Sequence, residues 1–132
     1  MTRAKTPTLD DVLGPLAAPV VREILARGEA TVGEVQAALR ASEQRAIGYT
    51  TVMTVMVRLC ERGVLTREKR GRRYVYRSAH AEADVIDELS RRAVNQVLDR
   101  YGSAAVRHFA SRLTDLDPEL RRRLLDLAAA DE

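Results

Sequence analysis

The chain of 132 residues has little of what stabilises secreted proteins or spans membranes. Its single cysteine cannot form an internal disulfide, which excludes a disulfide-stapled scaffold. The longest mostly apolar run, residues 12–21, contains Gly14, Pro15 and Pro19 and is about half of the roughly 20 residues that a membrane helix needs. We therefore expect no membrane insertion. Residues 1–8 lack the apolar stretch of a signal peptide, which predicts a cytoplasmic protein with an apolar core.

The sequence also lacks a recognisable catalytic or metal-binding set. It shows no Ser-His-acid combination, phosphate loop or paired inward carboxylates, so we predict that the protein is not an enzyme. His80 and His108 have no potential ligands near them in the sequence, which argues against a metal site, and we expect no cofactor. Cys60 falls beside an apolar helical stripe and is interpreted as a small core residue.

Charge is divided unevenly along the chain. Residues 1–78 contain 14 basic and 8 acidic side chains, whereas residues 79–132 contain 8 basic and 11 acidic ones. The whole excess of the first part lies in residues 58–77, with eight basic and two acidic side chains. Such a concentration is typical of a phosphate-binding surface, although an arginine-rich solvated surface would look the same.

Two short helices are predicted first. Leu16, Val20 and Ile24 keep helical spacing up to Gly28, but the helix has two possible starts, at Pro15 or near Ala18. We expect residues 1–12 to be polar and frayed. Thr31 and Glu34 form a capping-box pattern that begins a second helix, from Val32 to about Arg40, and residues 41–48 are interpreted as a connector.

A third helix is predicted from Tyr49 to Arg62. Its apolar residues have the spacing of one buried face, with Val52, Val55, Met56 and Leu59. The opposite face carries Thr50, Thr51, Thr54 and Arg58. Threonine is a mediocre helix former, whereas its short side chain lets a helix approach base edges and phosphates in a major groove. A surface helix with neutral polar residues is the alternative interpretation.

A basic β-hairpin follows. The runs 64–69 and 72–77 are rich in β-branched and aromatic residues and flank Arg70-Gly71. Its tip carries Lys69, Arg70, Arg72 and Arg73. Tyr74 and Tyr76 share one face of their strand, and we expect both to pack on the helical core.

The remaining residues are predicted to be helical. A stripe from Val85 to Tyr101 marks a long helix that Gly102 can end, and a second stripe marks the next helix. Asp117-Pro118 begins a last helix that presents Leu120, Leu124 and Leu127. These stripes are difficult to bury within one chain, so we expect residues 79–132 to pair with a second copy. The predicted dimerisation residues are Val97, Tyr101, Val106, Phe109, Leu113, Leu120 and Leu124.

Three short helices followed by a basic hairpin predict a winged helix. The fold class is therefore mainly α with a small β-hairpin: a winged helix-turn-helix DNA-binding domain over residues 1–78 and a helical dimerisation region over residues 79–132. The third helix would enter the major groove and the wing would reach the adjacent backbone, which predicts double-stranded DNA as the partner.

The residues that carry these features resemble the penicillinase repressor (BlaI/MecI) family. They are Leu13-Gly14-Pro15-Leu16, Gly28-Glu29-Ala30-Thr31-Val32, Tyr49-Thr50-Thr51-Val52-Met53-Thr54-Val55 with Arg58-Leu59, then Gly63 and Gly71-Arg72-Arg73-Tyr74-Val75-Tyr76. Residues 13–78 show the resemblance strongly and the tail more weakly. It implies a bacterial homodimeric repressor on a dyad-symmetric operator, often ahead of resistance genes.

The resemblance also implies roles for particular residues. By position, Tyr49, Thr50, Thr51, Thr54 and Arg58 would belong to the recognition helix, and Arg72 and Arg73 to the wing. In several members a membrane sensor-protease triggers cleavage of an Asn–Phe bond in the tail. The matching pair here is His108-Phe109, and the replacement of Asn argues against this route of derepression.

Two other functions remain open from the sequence. Winged helices also serve as protein-interaction adaptors, although an adaptor has no need of eight basic residues around its third helix and wing. A DNA-binding activator or architectural factor would have the same sequence features, since the sign of regulation depends on where the operator lies.

Overall fold

The computed structural model describes residues 6–43, 46–113, 115 and 118–130, with six helices and one antiparallel hairpin. The elements are α1 (Leu9–Arg27), α2 (Val32–Glu43), α3 (Tyr49–Glu61), β1 (Leu65–Arg70), β2 (Arg73–Ser78), α4 (Glu82–Tyr101), α5 (Ser103–Leu113) and α6 (Pro118–Ala130). Their order is the predicted one. The first three helices and the hairpin form a winged helix, so the predicted fold class, mainly α with a small β-hairpin and a winged helix-turn-helix, is confirmed.

Helix α1 is bent at Gly14, which has φ 88° and ψ 173°. Pro15 follows the bend, at the first position of the second helical segment, and Pro19 lies inside that segment. Proline fits the first position because its missing N–H has no helical acceptor there. Of the two predicted starts, the structure has the one at Pro15.

Residues 9–12 belong to α1, where the sequence predicted a frayed segment. Leu9 is fully buried, and the backbone N–H of Thr8 donates to the Asp11 carboxylate at 2.8 Å. This cap and the buried leucine order the segment. Residues 1–5 of the predicted frayed segment lie outside the described residues.

The capping box predicted for α2 is present. The backbone N–H of Thr31 donates to Glu34 Oε1 at 3.0 Å, and the backbone N–H of Glu34 donates to Thr31 Oγ1 at 3.2 Å. Helix α2 runs on to Glu43, beyond the predicted end near Arg40. The predicted connector is correspondingly shorter, and its residues 44–45 lie outside the described residues.

The hairpin pairs Leu65 with Ser78 at its base and Arg70 with Arg73 at its tip, so its turn is Gly71-Arg72, one residue later than predicted. Ala30 adds a bridge to the outer edge of β2 through two backbone hydrogen bonds with Tyr76, of 3.0 and 2.8 Å. Tyr76 is 1% exposed, as predicted. Tyr74 is 41% exposed because it lies two residues nearer to the hairpin tip than Tyr76. Its predicted packing on the core is therefore wrong.

One apolar core unites α1, α2, α3, the base of the hairpin and the start of α4. Its largest side chains are Tyr76, Leu9, Ile24, Met56, Leu59 and Leu65, and Val85 and Leu89 of α4 belong to it. The compact unit accordingly runs from Pro7 to Leu89. It therefore extends past residue 78, the boundary expected from the sequence.

The second compact unit contains the rest of α4, from Ser90, with α5 and α6. Many of its apolar side chains are exposed, and of those in the described residues only Ala105 is buried. The predicted N-cap Asp117 and the side chain of Leu127 lie outside what the structure describes. No helix in the described residues is long and apolar enough to span a membrane.

Candidate nucleic-acid interface

Helix α3 divides into a buried and an exposed face as its sequence predicts. Val52, Met56 and Leu59 are at most 2% exposed and fix the helix on the core. The other face is open to solvent and carries Tyr49, Thr50, Thr51, Thr54 and Arg58. The core thus holds one rigid helix with a row of short hydroxyl-bearing side chains facing outward.

The start of α3 is anchored and has no acidic residue. Gln36 of α2 donates from Nε2 to the carbonyl oxygen of Ile47 at 3.1 Å, and the Ile47 side chain is buried. Gly48 precedes the helix without a side-chain cap. The first turns of α1, α2, α4 and α6 contain Asp or Glu, whereas those of α3 and α5 contain none. The positive end of the α3 dipole is therefore left available to an anion such as a phosphate.

The two faces of the hairpin differ in charge. Alternation along the strands places Leu65, Arg67, Lys69, Tyr74 and Tyr76 on one face, which we call the core-side face. The opposite face, which we call the outer face, carries Thr66, Glu68, Arg70, Arg73, Val75 and Arg77.

On the outer face, Glu29 accepts hydrogen bonds from two arginines. Its Oε2 lies 2.9 Å from Arg70 Nη1 and 3.2 Å from Arg77 Nη2. These two guanidinium groups, with Arg70 first, hold the pKa of Glu29 below its usual value. Arg70 also contacts Glu68 at 3.4 Å. Arg70 was predicted from the sequence to contact DNA. Its charge is therefore partly neutralised within the protein.

Three other cations of the predicted interface have no carboxylate within ion-pair distance among the described residues. They are Arg58 on α3 and Lys69 and Arg72 at the wing tip, all exposed. The fourth wing-tip residue, Arg73, is also exposed and acts electrostatically on Glu34 of α2. Helix α3 and the wing tip thus both present positive charge that no described carboxylate compensates by an ion pair.

Two residues were not assigned to the site from the sequence. Met53 is 39% exposed, beside the threonines of α3, and helical spacing from Tyr49 would have indicated this position. Arg67 stacks on Tyr74, with its guanidinium carbon 4.2 Å from the ring centroid, and its Nη1 donates to the Tyr76 hydroxyl at 3.4 Å. Strand alternation puts Arg67 on the same face as Lys69, which was assigned.

In the second compact unit, α4 and α5 line an apolar cavity of about 430 Å³. Its walls include Val97, Tyr101 and Phe109, which are 38%, 58% and 52% exposed. Of the other predicted dimerisation residues, Val106 and Leu124 are exposed, whereas Leu113 and Leu120 are half-buried. Val94 and Leu125 are further exposed apolar side chains that the prediction omitted.

The predicted cleavage pair His108-Phe109 lies in the middle of α5. Both side chains are exposed and line the cavity, but their peptide bond is part of the helix. A protease needs an extended backbone, so cleavage here would require local unfolding of α5.

Two expectations about chemistry remain, one on Cys60 and one on metal binding. Cys60 is half-buried against the core, as predicted, and burial raises the pKa of its thiol. A raised thiol pKa lowers reactivity, because the thiolate is the reactive form. Within the described ranges, no group of three or more His, Cys, Asp or Glu side chains is placed to hold a metal ion.

Known proteins resemble this chain over most of its length. The family model described as penicillinase repressor matches residues 13–130. The transcriptional regulator BlaI of Mycobacterium tuberculosis, in strains CDC 1551 and H37Rv, is 36% identical over 121 residues, which cover 89% of this chain and 86% of the relative.

Among solved structures, the archaeal chromatin protein TrmBL2 is similar to this chain with a TM-score of 0.48 and 14% identity, over 78% of this chain and 37% of that one. The family match, together with the identity to BlaI, confirms the resemblance seen in the motifs of α3 and the wing. The chain therefore belongs to the penicillinase repressor family of DNA-binding transcriptional regulators, which are not enzymes.

Proposed function

We propose that the protein is a homodimeric repressor that binds a dyad-symmetric operator, with α3 of each protomer in a major groove. The observation that carries this proposal is the exposed face of α3. It combines threonines, an acid-free first turn and Arg58 on a helix that the core holds in place. Such a face approaches base edges closely and meets no electrostatic penalty from phosphates.

Residues on this face divide by the contacts that they are able to make. Thr50, Thr51 and Thr54 offer hydroxyls and methyl groups, which suit base edges including the thymine methyl group. Arg58 suits a guanine edge, to which arginine donates two hydrogen bonds. Tyr49 and the exposed Met53 add apolar contact area beside them.

The wing supplies contacts of a different kind. Lys69, Arg72 and Arg73 lie at the hairpin tip, with Arg70 beside them. A wing of this charge binds the sugar-phosphate backbone next to the groove that α3 occupies, which gives affinity without reading sequence. Arg70 would join only by exchanging the Glu29 carboxylate for a phosphate.

The tail supports the dimeric part of the proposal. Exposed Tyr101, Val106 and Phe109 form an apolar surface that water solvates poorly, and a second copy would cover it. Two linked winged helices bind a symmetric operator far more tightly than one, because the second half-site is met at high effective concentration. Half-sites about 10 base pairs apart, or a multiple of this, follow from the helical repeat of DNA.

Derepression would then separate the two protomers rather than alter the protein surface that binds DNA. Separating or cutting the tails leaves each winged helix to bind alone, with lower affinity. A membrane sensor-protease that cleaves at His108-Phe109 is one way to do this, and it requires that α5 first unfold locally.

The proposal is tested by selecting duplexes from a randomised DNA pool and titrating the best duplex with salt. We expect one inverted repeat, with the logarithm of the binding constant falling by several units per decade of salt. Thr54→Ala or Arg58→Ala should relax the sequence preference at one position, by about 1–3 kcal/mol, whereas Arg72→Ala should weaken all duplexes alike.

Arg107→Ala removes the same charge from the exposed surface of α5 and serves as the control, with unchanged binding expected. A changed sequence preference in Arg72→Ala would contradict the division between α3 and the wing. No enrichment together with a salt slope near zero would instead favour the adaptor. An operator that raises transcription when bound would identify an activator.

A further inference from the structure

Two of the three arginines on the outer face of the hairpin form ion pairs. Arg70 and Arg77 share Glu29, Arg70 also contacts Glu68, and Arg73 acts on Glu34. A phosphate that approaches Arg70 or Arg77 must displace a carboxylate. These two arginines are therefore poor ligands for the DNA backbone, despite their charge.

The core-side face has the opposite character. Its one arginine, Arg67, forms no ion pair with any described residue and is instead held by two tyrosines. The stack on Tyr74 and the hydrogen bond to Tyr76 fix the guanidinium group but leave its charge uncompensated. Tyr76 is itself buried in the core, so this support is rigid.

Arg67 belongs to β1, a strand of the hairpin that packs against α3. A cation on the strand that adjoins this helix is suitably placed for the phosphate strand that borders the occupied groove. Its preorganised guanidinium loses little conformational entropy on binding.

We propose that Arg67, positioned by Tyr74 and Tyr76, is a principal phosphate-binding residue of the wing, and that Glu29 keeps Arg70 and Arg77 off the DNA. This inference rests on the proposed DNA-binding function and adds a residue that the sequence did not indicate. It predicts that the arginines of the wing contribute very differently according to whether a carboxylate of the protein pairs with them.

The test compares Arg67→Ala with Arg77→Ala in the full-length protein. Arg77 is the matched control, because it is an arginine of the same hairpin on the opposite face and paired with Glu29. Affinity for the selected operator and for a scrambled duplex is measured across a salt series. Arg67→Ala should weaken both duplexes about tenfold and reduce the salt slope by about one unit. Arg77→Ala should change neither by more than about twofold.

Two further variants separate phosphate binding from a structural effect. Arg67→Lys keeps the charge and should restore the salt slope, but only part of the affinity, because lysine lacks the planar fork. Tyr74→Leu should lower affinity and leave the slope unchanged, since it loosens the arginine without removing its charge. Thermal unfolding of each variant reports on the fold.

Equal losses in Arg67→Ala and Arg77→Ala, or an unchanged salt slope in Arg67→Ala, would overturn the inference and leave the DNA-binding function intact. A wild-type protein that binds neither duplex would overturn the function itself, and this inference with it.

Discussion

Glu29 links three parts of the winged helix although it is an exposed residue. It follows the end of α1, it precedes Ala30, whose backbone pairs with Tyr76, and its carboxylate binds Arg70 and Arg77. Single surface ion pairs contribute little, but one carboxylate shared by two arginines restricts both side chains at once. Glu29 therefore orders the outer face of the wing.

This pairing makes stability depend on pH in a defined direction. The folded-state pKa of Glu29 is depressed, so its contribution is present above its unfolded pKa of about 4.3 and is lost as pH falls through the folded value. Glu29→Gln should therefore have a lower unfolding midpoint than wild type at pH 7. The difference between the two midpoints should disappear at pH values below the folded-state pKa of Glu29. Thermal unfolding midpoints between pH 7 and pH 2 measure this. A constant difference across that range would show that Glu29 acts through something other than its charge.

At the scale of the element, the bend of α1 depends on one backbone conformation. Gly14 has φ 88° and ψ 173°, a region that only glycine adopts readily. The bend ends the first helical turns and lets Pro15 begin the next segment. Leu9 can then reach the core, where it is fully buried.

The role of the Gly14 backbone conformation is tested by comparing two glycine-to-alanine substitutions, one at Gly14 and one at Gly33. Gly14→Ala should destabilise the protein by about 1–3 kcal/mol, through backbone strain alone, since no atom lies within 4 Å of the added methyl group. Gly33→Ala, inside α2 and equally unobstructed, should stabilise by about 0.4–1 kcal/mol. Denaturant unfolding gives both values. A neutral Gly14→Ala would show that the bend does not need a positive φ.

Across the whole molecule, the two compact units differ in the kind of surface that they present. The basic excess and the apolar core lie in the winged helix, whereas the second unit has exposed apolar side chains along α4 and α5. A monomer leaves Tyr101, Val106 and Phe109 more than half exposed, and the proposed dimer would gain stability by covering them.

Dimerisation is tested by placing a charge on this apolar surface. Phe109→Asp should lower the mass in light scattering towards that of one chain, because an unpaired carboxylate in an apolar interface is costly. Leu120→Asp should act in the same direction. Gln96→Glu adds the same charge at an exposed polar position of α4 and should leave the mass unchanged. Helical content measured by circular dichroism checks that the variants remain folded.

Loss of the dimer also has a consequence for DNA. Affinity for the complete operator should fall, whereas affinity for an isolated half-site should stay as in wild type. A dimer that survives both Phe109→Asp and Leu120→Asp would remove these residues from the interface.

Local sequence patterns are sufficient to predict the order of the elements, the buried face of α3, the position of the hairpin and the family. These features are local: periodicity along Val52, Met56 and Leu59, the capping box of Thr31 and Glu34, and the turn near Gly71 need no knowledge of the rest of the chain. The basic stretch over residues 58–77 is likewise visible in one dimension.

Which of these residues are buried, and which charges are paired, depends on the folded chain. Strand alternation put Tyr74 and Tyr76 on one face, but distance from the core left only Tyr76 buried. Glu29 is about 40 residues or more from the arginines that it binds, so no local pattern indicates that it compensates Arg70 and Arg77. Nor does a local pattern indicate that Arg67 forms no ion pair with any residue that the structure describes. Burial and charge pairing depend on contacts between distant segments, and the fold creates those contacts.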